Sequence, residues 1–138
     1  MKNLIGFCFL ILLVSCQQVP SIQGKWKLVK IDYSPYAKQI DPSLVDSFLK
    51  EMEKQSLKIE NRTFFDFGEI LTVTSPAFGG EDTATETGTW EQLEMGDSLK
   101  MVTSLTESFA VSWKTQDTMM LSTSSSPDRI MTLAREKV

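Results

Sequence analysis

The chain has 138 residues, with 14 basic and 18 acidic side chains, no histidine and a formal net charge of −4. This length allows a single domain that is stabilised by its own hydrophobic core. The acidic balance argues against nucleic acid as a partner, and against a basic patch on anionic lipid, because both need clustered Lys and Arg.

The first sixteen residues have the features of an export signal. Lys2 gives a positive start, residues 4–14 form an apolar run, and the small Ser15 precedes Cys16. A run of this length is typical of a signal peptide and is too short to cross a bilayer, which takes about 20 apolar residues. The Leu-Val-Ser-Cys sequence that ends at this cysteine resembles the lipobox of bacterial lipoproteins. That resemblance implies lipid attachment at Cys16, cleavage of residues 1–15 and acylation of the new amine; an ordinary secretory signal with an incidental cysteine is the alternative.

Lipidation has consequences for the mature chain. One acyl chain anchors a protein only weakly, so stable anchoring to the membrane takes more than one. Cleavage removes Cys8 and lipid occupies Cys16, which leaves no thiol for a disulfide, a metal or a nucleophile. No cofactor is expected beyond this covalent lipid. In enteric lipoproteins an aspartate after the cysteine signals retention in the inner membrane. By resemblance, Gln17 at that position favours the outer membrane, facing the periplasm.

The mature chain begins with a lipidated tether, residues 16–22, and then a strand. Residues 24–31 alternate, with Trp26 and Leu28 on one face and lysines on the other. This period of two predicts a strand with one solvated face.

An amphipathic helix is predicted after a loop at residues 32–37. Asp41 is suited to an N-cap, and Pro42 is suited to the first helical position. Apolar residues at helical spacing extend the prediction over residues 42–54, and their apolar stripe is expected to be a packing surface.

The rest of the chain predicts short strands with turn residues at intervals of 8–12 residues, which is typical of an all-β sandwich or barrel. The strands are expected at residues 57–60, 63–67, 70–74, 83–92, 98–103, 109–113, 118–122 and 129–135. Short turns favour a meander, and a closed meander leaves no sheet edge unpaired. We predict an all-β fold over residues 23–138: a small antiparallel up-and-down β-barrel of about eight strands, with one α-helix between the first two strands.

A glycine lies two residues before a tryptophan twice in the chain, at Gly24 and Trp26 and at Gly88 and Trp90. In a strand this spacing puts both residues on one face, where a glycine makes room for a large indole from a neighbour. Coincidence is the alternative explanation.

The order of these motifs resembles the lipocalin and fatty-acid-binding-protein superfamily, including envelope lipoproteins with a lipocalin-like domain. Those lipoproteins have an early Gly-x-Trp strand, a Gly-Thr-Trp or Gly-Thr-Tyr strand in mid-chain and an arginine in the last strand. Here the motifs begin at Gly24 and Gly88, and Arg135 is in the last predicted strand. The resemblance implies that Trp26 closes one end of the barrel and that an arginine, Arg135 or Arg129, packs across it. Such an arginine–indole contact contributes about 0.5–2 kcal/mol.

The chain also departs from that superfamily. No match to the second sequence motif of lipocalins is found in it, and the residues after the last predicted strand do not predict the long helix that follows the barrel in lipocalins. The predicted helix between the first two strands is instead similar to the lid of fatty-acid-binding proteins. Those proteins carry an arginine and tyrosine set for a carboxylate, and the sequence does not identify one here.

Little in the sequence indicates catalysis. Without histidine or a free cysteine, the common nucleophile–base pairs and most zinc sites cannot form. Paired acidic residues occur near turns: Asp66 and Glu69, Glu81 and Asp82, and Glu91 and Glu94. Acid–base catalysis needs two carboxylates in one cleft with separated pKa values, whereas acidic residues at hairpin ends are usually solvated. We expect a protein that is not an enzyme and that has no metal site.

Two functions fit these expectations. In the first, the barrel binds a small apolar molecule, although an eight-stranded barrel can equally be filled by its own side chains. The candidate ligand-binding residues alternate along the strands, beside Trp26: Leu28, Phe65, Phe67, Met101, Phe109, Val111, Trp113, Met119 and Leu121. In the second, a tethered adaptor or inhibitor binds another envelope protein or a glycan through exposed aromatics such as Tyr33, Tyr36 and Phe78. A cavity of roughly several hundred Å³ favours the first function, and a filled interior with an exposed apolar loop patch favours the second.

Overall fold

A closed antiparallel β-barrel forms the main body of the protein. The computed structural model describes residues 20–76, 82–93, 96–123 and 129–137. The eight strands are β1 (Gly24–Asp32), β2 (Phe64–Phe67), β3 (Leu71–Pro76), β4 (Thr83–Leu93), β5 (Ser98–Val102), β6 (Thr106–Thr115), β7 (Thr118–Thr123) and β8 (Ile130–Arg135). Each strand pairs with the next in sequence, and β8 pairs with β1 to close the barrel. The predicted all-β up-and-down barrel is confirmed, and all its strands lie within residues 20–137.

The connections between strands alternate between the two ends of the barrel. The last residues of β1, β3, β5 and β7 and the first residues of β2, β4, β6 and β8 are at one end, which we call the open end. The other ends of the strands, together with residues 20–23 and 136–137, are at the opposite end, which we call the closed end.

Side chains that point into the barrel form one hydrophobic core. Residues that pair across strands share a face, as Leu28 and Leu133 do between β1 and β8. The alternation predicted for β1 is observed, since Trp26 and Leu28 are both buried. The largest fully buried side chains are Trp26, Phe67, Phe109, Ile22, Leu28, Leu71, Leu99, Met119, Leu121 and Leu133. Burial of one such aliphatic side chain contributes about 1.5–3 kcal/mol to stability.

Helical segments connect β1 to β2 at the open end. They are α1 (Ser34–Ala37), a 3₁₀ turn (Pro42–Leu44) and α2 (Val45–Ser56), so the predicted helix between the first two strands is confirmed. The Ser43 amide donates to the Asp41 carboxylate at 3.0 Å, which caps the 3₁₀ turn. Hydrogen bonds from the Ser43 amide and hydroxyl lower the pKa of the Asp41 carboxyl from its ordinary value. In the parts of the chain that the structure describes, no helix is long and apolar enough to span a bilayer.

Two predictions for this connection are wrong. The strand expected at residues 57–60 is absent, because the Leu57 amide donates to the Glu53 carbonyl at 3.0 Å and residues 57–62 form turns that continue from α2. Alternation over only four residues does not distinguish a strand from the end of a helix. The loop expected at residues 32–37 contains α1.

An arginine lies across a tryptophan at the closed end. The guanidinium carbon of Arg135 is 4.3 Å from the centroid of the Trp26 ring, whose Nε1 donates to the Ile22 carbonyl at 2.7 Å. Of the two candidate arginines, Arg135 makes this contact and Arg129 does not. Gly24 has a φ of 121°, and a Cβ there would lie 3.3 Å from Nη1 of Arg135. Glycine therefore permits both the backbone conformation and the position of the guanidinium.

The same guanidinium ties separate segments together at the closed end. It donates to the carbonyls of Ser21 and Gln23 at 2.9 Å each. It also donates to the Gln116 carbonyl and to the Asp117 carboxylate, both at 3.1 Å. Arg135 thus fixes the segment before β1 to the turn between β6 and β7.

The second glycine–tryptophan pair has a different role from the one expected. A Cβ on Gly88 would overlap the Val102 carbonyl of β5, so glycine here allows a close approach of backbone and does not make room for an indole. The Trp90 Nε1 donates to the Gly68 carbonyl at 2.8 Å, and its ring packs edge-on against Phe67 with centroids 5.3 Å apart.

Candidate ligand-binding cavity

A cavity of about 370 Å³ lies in the half of the barrel nearer the open end and is partly open to solvent. Most of the side chains that line it are apolar, and they come from the inner face of the strands and from the connections at the open end. The lining residues are Leu28, Ile31, Tyr33, Ile59, Thr63, Phe65, Leu71, Val73, Ser75, Glu86, Met101, Thr103, Leu105, Glu107, Phe109, Arg129 and Met131. The barrel is therefore packed toward its closed end and hollow toward its open end.

The structure divides the predicted ligand-binding residues into two groups. Those that line the cavity are Leu28, Phe65, Met101 and Phe109. Those that pack in the core or against it without lining the cavity are Phe67, Val111, Trp113, Met119 and Leu121. Trp113, for example, packs against Trp26 with ring centroids 5.9 Å apart. Alternation identifies the inner face of a strand, but it does not give the depth of a residue along the barrel axis.

Two carboxylates and one guanidinium are part of the cavity lining. Glu86 pairs with Val73 on β3, and Glu107 pairs with Met101 on β5. Because directly paired residues share a face of the sheet, both carboxylates are on the inner face of the barrel. Arg129 directly precedes β8. The cavity therefore has an apolar interior and charged groups toward the open end.

Hydrogen bonds hold these charged side chains in place. Arg129 Nη2 donates to Glu107 Oε2 at 3.0 Å, with the two side chains 26% and 39% exposed. Ser104 Oγ donates to Glu86 Oε1 at 2.8 Å. A partly exposed ion pair contributes only about 0–1 kcal/mol to stability, so these contacts orient the side chains more than they stabilise the barrel.

A second space, of about 480 Å³, lies between α2 and β1 and has a more polar lining. The Glu60 carboxylate reaches across and accepts from the Ile31 amide at 3.1 Å. Within α2 only Ser56 is buried. The apolar side of this helix is therefore only partly covered by the barrel.

The loop aromatics differ from what the second function needs. Tyr33 was expected to be exposed, but it is half-buried, packs against the core and lines both spaces. Tyr36 is 39% exposed and packs against Phe48 with ring centroids 5.0 Å apart. Phe78 lies outside the described residues.

Those members of the acidic pairs that the structure describes, Asp66, Glu69, Asp82 and Glu91, are not among the residues that line the cavity. Asp66 and Glu69 are exposed and lie toward the closed end. Glu91 is exposed on β4, and Glu81 and Glu94 are outside the described residues. Within residues 20–76, 82–93, 96–123 and 129–137, no group of three or more Asp, Glu, Cys or His could hold a metal ion.

The charged residues of the cavity were missed as site residues, although a signal for them exists. Glu107 is two residues before Phe109, and Glu86 is four residues before Trp90. A period of two therefore puts Glu107 on the same face of its strand as Phe109, and Glu86 on the same face as Trp90. The acidic residues considered from the sequence were only the pairs at hairpin ends, and Glu86, although it lines the cavity, is exposed.

Scans of the chain against protein-family models, curated proteins and solved structures found no match. The lipocalin-like assignment stays a prediction that rests on the sequence motifs and is consistent with the barrel topology.

Proposed function

We propose that this protein is a lipid-anchored, lipocalin-like protein of the bacterial envelope that binds a small apolar molecule in the open half of its barrel and has no enzymatic activity. The observation that supports this is the cavity of about 370 Å³. Small-molecule sites are typically concave, largely preformed and about 300–1,000 Å³ in volume.

The lining of the cavity fits an apolar ligand. Leu28, Phe65 and Phe109 present apolar surface in its interior. Burying apolar surface against such a lining stabilises a complex by about 25 cal/mol per Å². The charged groups are toward the open end, so an amphiphile would bind with its apolar part inside and its polar end outward.

The proposed lipid anchor sets the orientation of this cavity. Pro20 lies at the closed end, and Cys16 is four residues earlier in the chain. Four residues span at most roughly 14 Å, so lipid on Cys16 would keep the closed end close to the membrane. The open end then faces away from that membrane, into the periplasm for an outer-membrane lipoprotein. Ligand would enter and leave on the aqueous side.

A titration with N-phenyl-1-naphthylamine, an uncharged apolar fluorescent probe, tests the binding function. The fragment 17–138 contains all eight strands and is suited to the assay. Val73→Trp places an indole in the cavity, and Thr72→Trp places one on the outer face of the same strand as a matched control. We expect saturable binding of one probe per chain, weakened about tenfold or more by Val73→Trp and unchanged by Thr72→Trp, because only the first indole occupies ligand space. Absence of saturable binding, or equal binding to the two variants, would contradict the proposal.

A second candidate function, docking of another envelope protein, is favoured by exposed apolar side chains at the open end. Leu44, Leu57 and Leu105 are 56%, 65% and 68% exposed. Such residues are typical anchors when they form a contiguous patch. Cross-linking of the full chain in intact envelopes distinguishes the two functions. A cross-linked partner lost in Leu44→Glu, at a residue outside the cavity lining, but kept in Val73→Trp would support docking, whereas no specific partner would contradict it.

A further inference from the structure

The inner face of this barrel carries charge where the cavity opens. Glu86 and Glu107 lie on the inner face of β4 and β6, among apolar neighbours such as Val73 and Met101. Among the described residues that line the cavity, Arg129 is the single basic side chain. The lining therefore combines two carboxylates with one guanidinium.

The two carboxylates differ in their partners. Glu107 is in an ion pair with Arg129 at 3.0 Å. Glu86 accepts from the hydroxyl of Ser104, a neutral donor, at 2.8 Å, and no salt bridge to Glu86 is found in the described part of the chain. The charge of Glu86 is therefore balanced less than that of Glu107.

The charged side chains of the lining interact differently with anionic and cationic head groups. An anionic head beside the cavity lining meets a net negative charge and competes with Glu107 for Arg129. A cationic head is attracted by Glu86 without breaking the existing pair. Glu86 lines the cavity but is exposed, so water screens this attraction, which is about 1 kcal/mol for two unit charges about 4 Å apart.

We propose that the cavity selects amphiphiles with a positively charged head group over those with an anionic head group, and that the head lies beside Glu86. This inference deepens the proposed function and rests on it. It identifies the ligand class as a cationic amphiphile with an apolar tail held between β1, β2, β5 and β6.

Displacement of N-phenyl-1-naphthylamine from the fragment 17–138 by three probes of equal chain length tests the selection. The probes are dodecylamine, 1-dodecanol and dodecanoate, used at pH 7 below their aggregation concentrations. The amine is then protonated and the carboxylate is ionised, while the tail contributes equally in all three. We expect dodecylamine to bind at least about tenfold more tightly than dodecanoate, which corresponds to about 1.4 kcal/mol. The selectivity should shrink at high salt.

Two variants separate the local effect of Glu86 from the total charge of the protein. Glu86→Gln keeps the size of the side chain and an acceptor for Ser104, and it should lower the amine-to-carboxylate affinity ratio about threefold or more. Glu91→Gln makes the same change of charge on the outer face of β4 and should leave the ratio unchanged.

The outcomes distinguish the inference from the proposed function. Dodecanoate binding as tightly as dodecylamine, or equal effects of Glu86→Gln and Glu91→Gln, overturns the inference and leaves the binding function standing. If neither the fluorescent probe nor any of the amphiphiles binds, the binding function fails and the inference fails with it.

Discussion

Replacing Arg135 by alanine removes the contacts that hold the closed end together. The guanidinium over Trp26 contributes about 0.5–2 kcal/mol, and each hydrogen bond to a carbonyl contributes about 0.5–1.5 kcal/mol when it is shielded from water. The Arg135 side chain is 27% exposed, so water replaces part of this bonding after the substitution. We therefore expect Arg135→Ala to lower the free energy of unfolding by about 2–4 kcal/mol.

Urea unfolding of the fragment 17–138, followed by tryptophan fluorescence and far-ultraviolet circular dichroism, measures this loss. Arg62→Ala is a control, because it removes the same type of side chain at an exposed position. The Arg62 guanidinium donates to the Lys58 carbonyl at 3.4 Å, and for such an exposed contact the expected loss is below about 1 kcal/mol. A loss for Arg135→Ala below about 1 kcal/mol, or equal losses for the two variants, would refute the role assigned to Arg135.

Three further changes test other parts of the structure. Gly88→Ala should destabilise the barrel by about 2–3 kcal/mol or more in urea unfolding, because the added Cβ overlaps the Val102 carbonyl. In the control Gly68→Ala the added Cβ is 3.7 Å from its nearest neighbour, so stability should change by less than about 1 kcal/mol. Similar losses in the two variants would contradict this explanation of Gly88. Leu133→Ala should cost about 2–5 kcal/mol in the packed half, whereas Met101→Ala should cost less because it faces an existing cavity; equal costs argue for a uniformly packed barrel. Cys16→Ser in the full chain should abolish incorporation of a labelled fatty acid in bacteria, and retained labelling would show that this cysteine is not the lipidated residue.

Local patterns in the sequence were sufficient to predict the barrel. Alternation along β1 put Trp26 and Leu28 inside, and turn residues at short intervals gave a meander that closes on itself. The cap at Asp41 was predictable because it depends on the Ser43 amide two residues away. These features arise from neighbours in sequence, which is why one sequence reveals them.

Other features depend on how distant strands meet. The overlap that requires glycine at position 88 arises from Val102, whose distance from it is set by the pairing of β4 with β5. The division of inward residues between cavity and packed core depends on depth along the barrel axis. Phe67 and Phe65 are on the same face of β2, yet only Phe65 lines the cavity. The two sides of a strand can be predicted from its period, but depth needs the register of all eight strands.

Choosing between the two candidate arginines also needed the structure. Arg135 and Arg129 are six residues apart, so a period of two puts both on the same face of the strand predicted at residues 129–135. Arg135 is at the closed end over Trp26, and Arg129 is at the open end beside Glu107. Their different roles follow from the direction of β8, which pairs antiparallel with β1.

Native mass spectrometry of the fragment 17–138, purified after expression in the bacterial envelope, tests the central claim most directly. The account predicts one bound molecule of fixed mass per chain, lost in Val73→Trp and kept in Thr72→Trp, because only the first substitution fills the cavity. A mass that corresponds to the chain alone, and that stays unchanged after incubation with apolar and cationic amphiphiles, would contradict the claim that the barrel is a binding site.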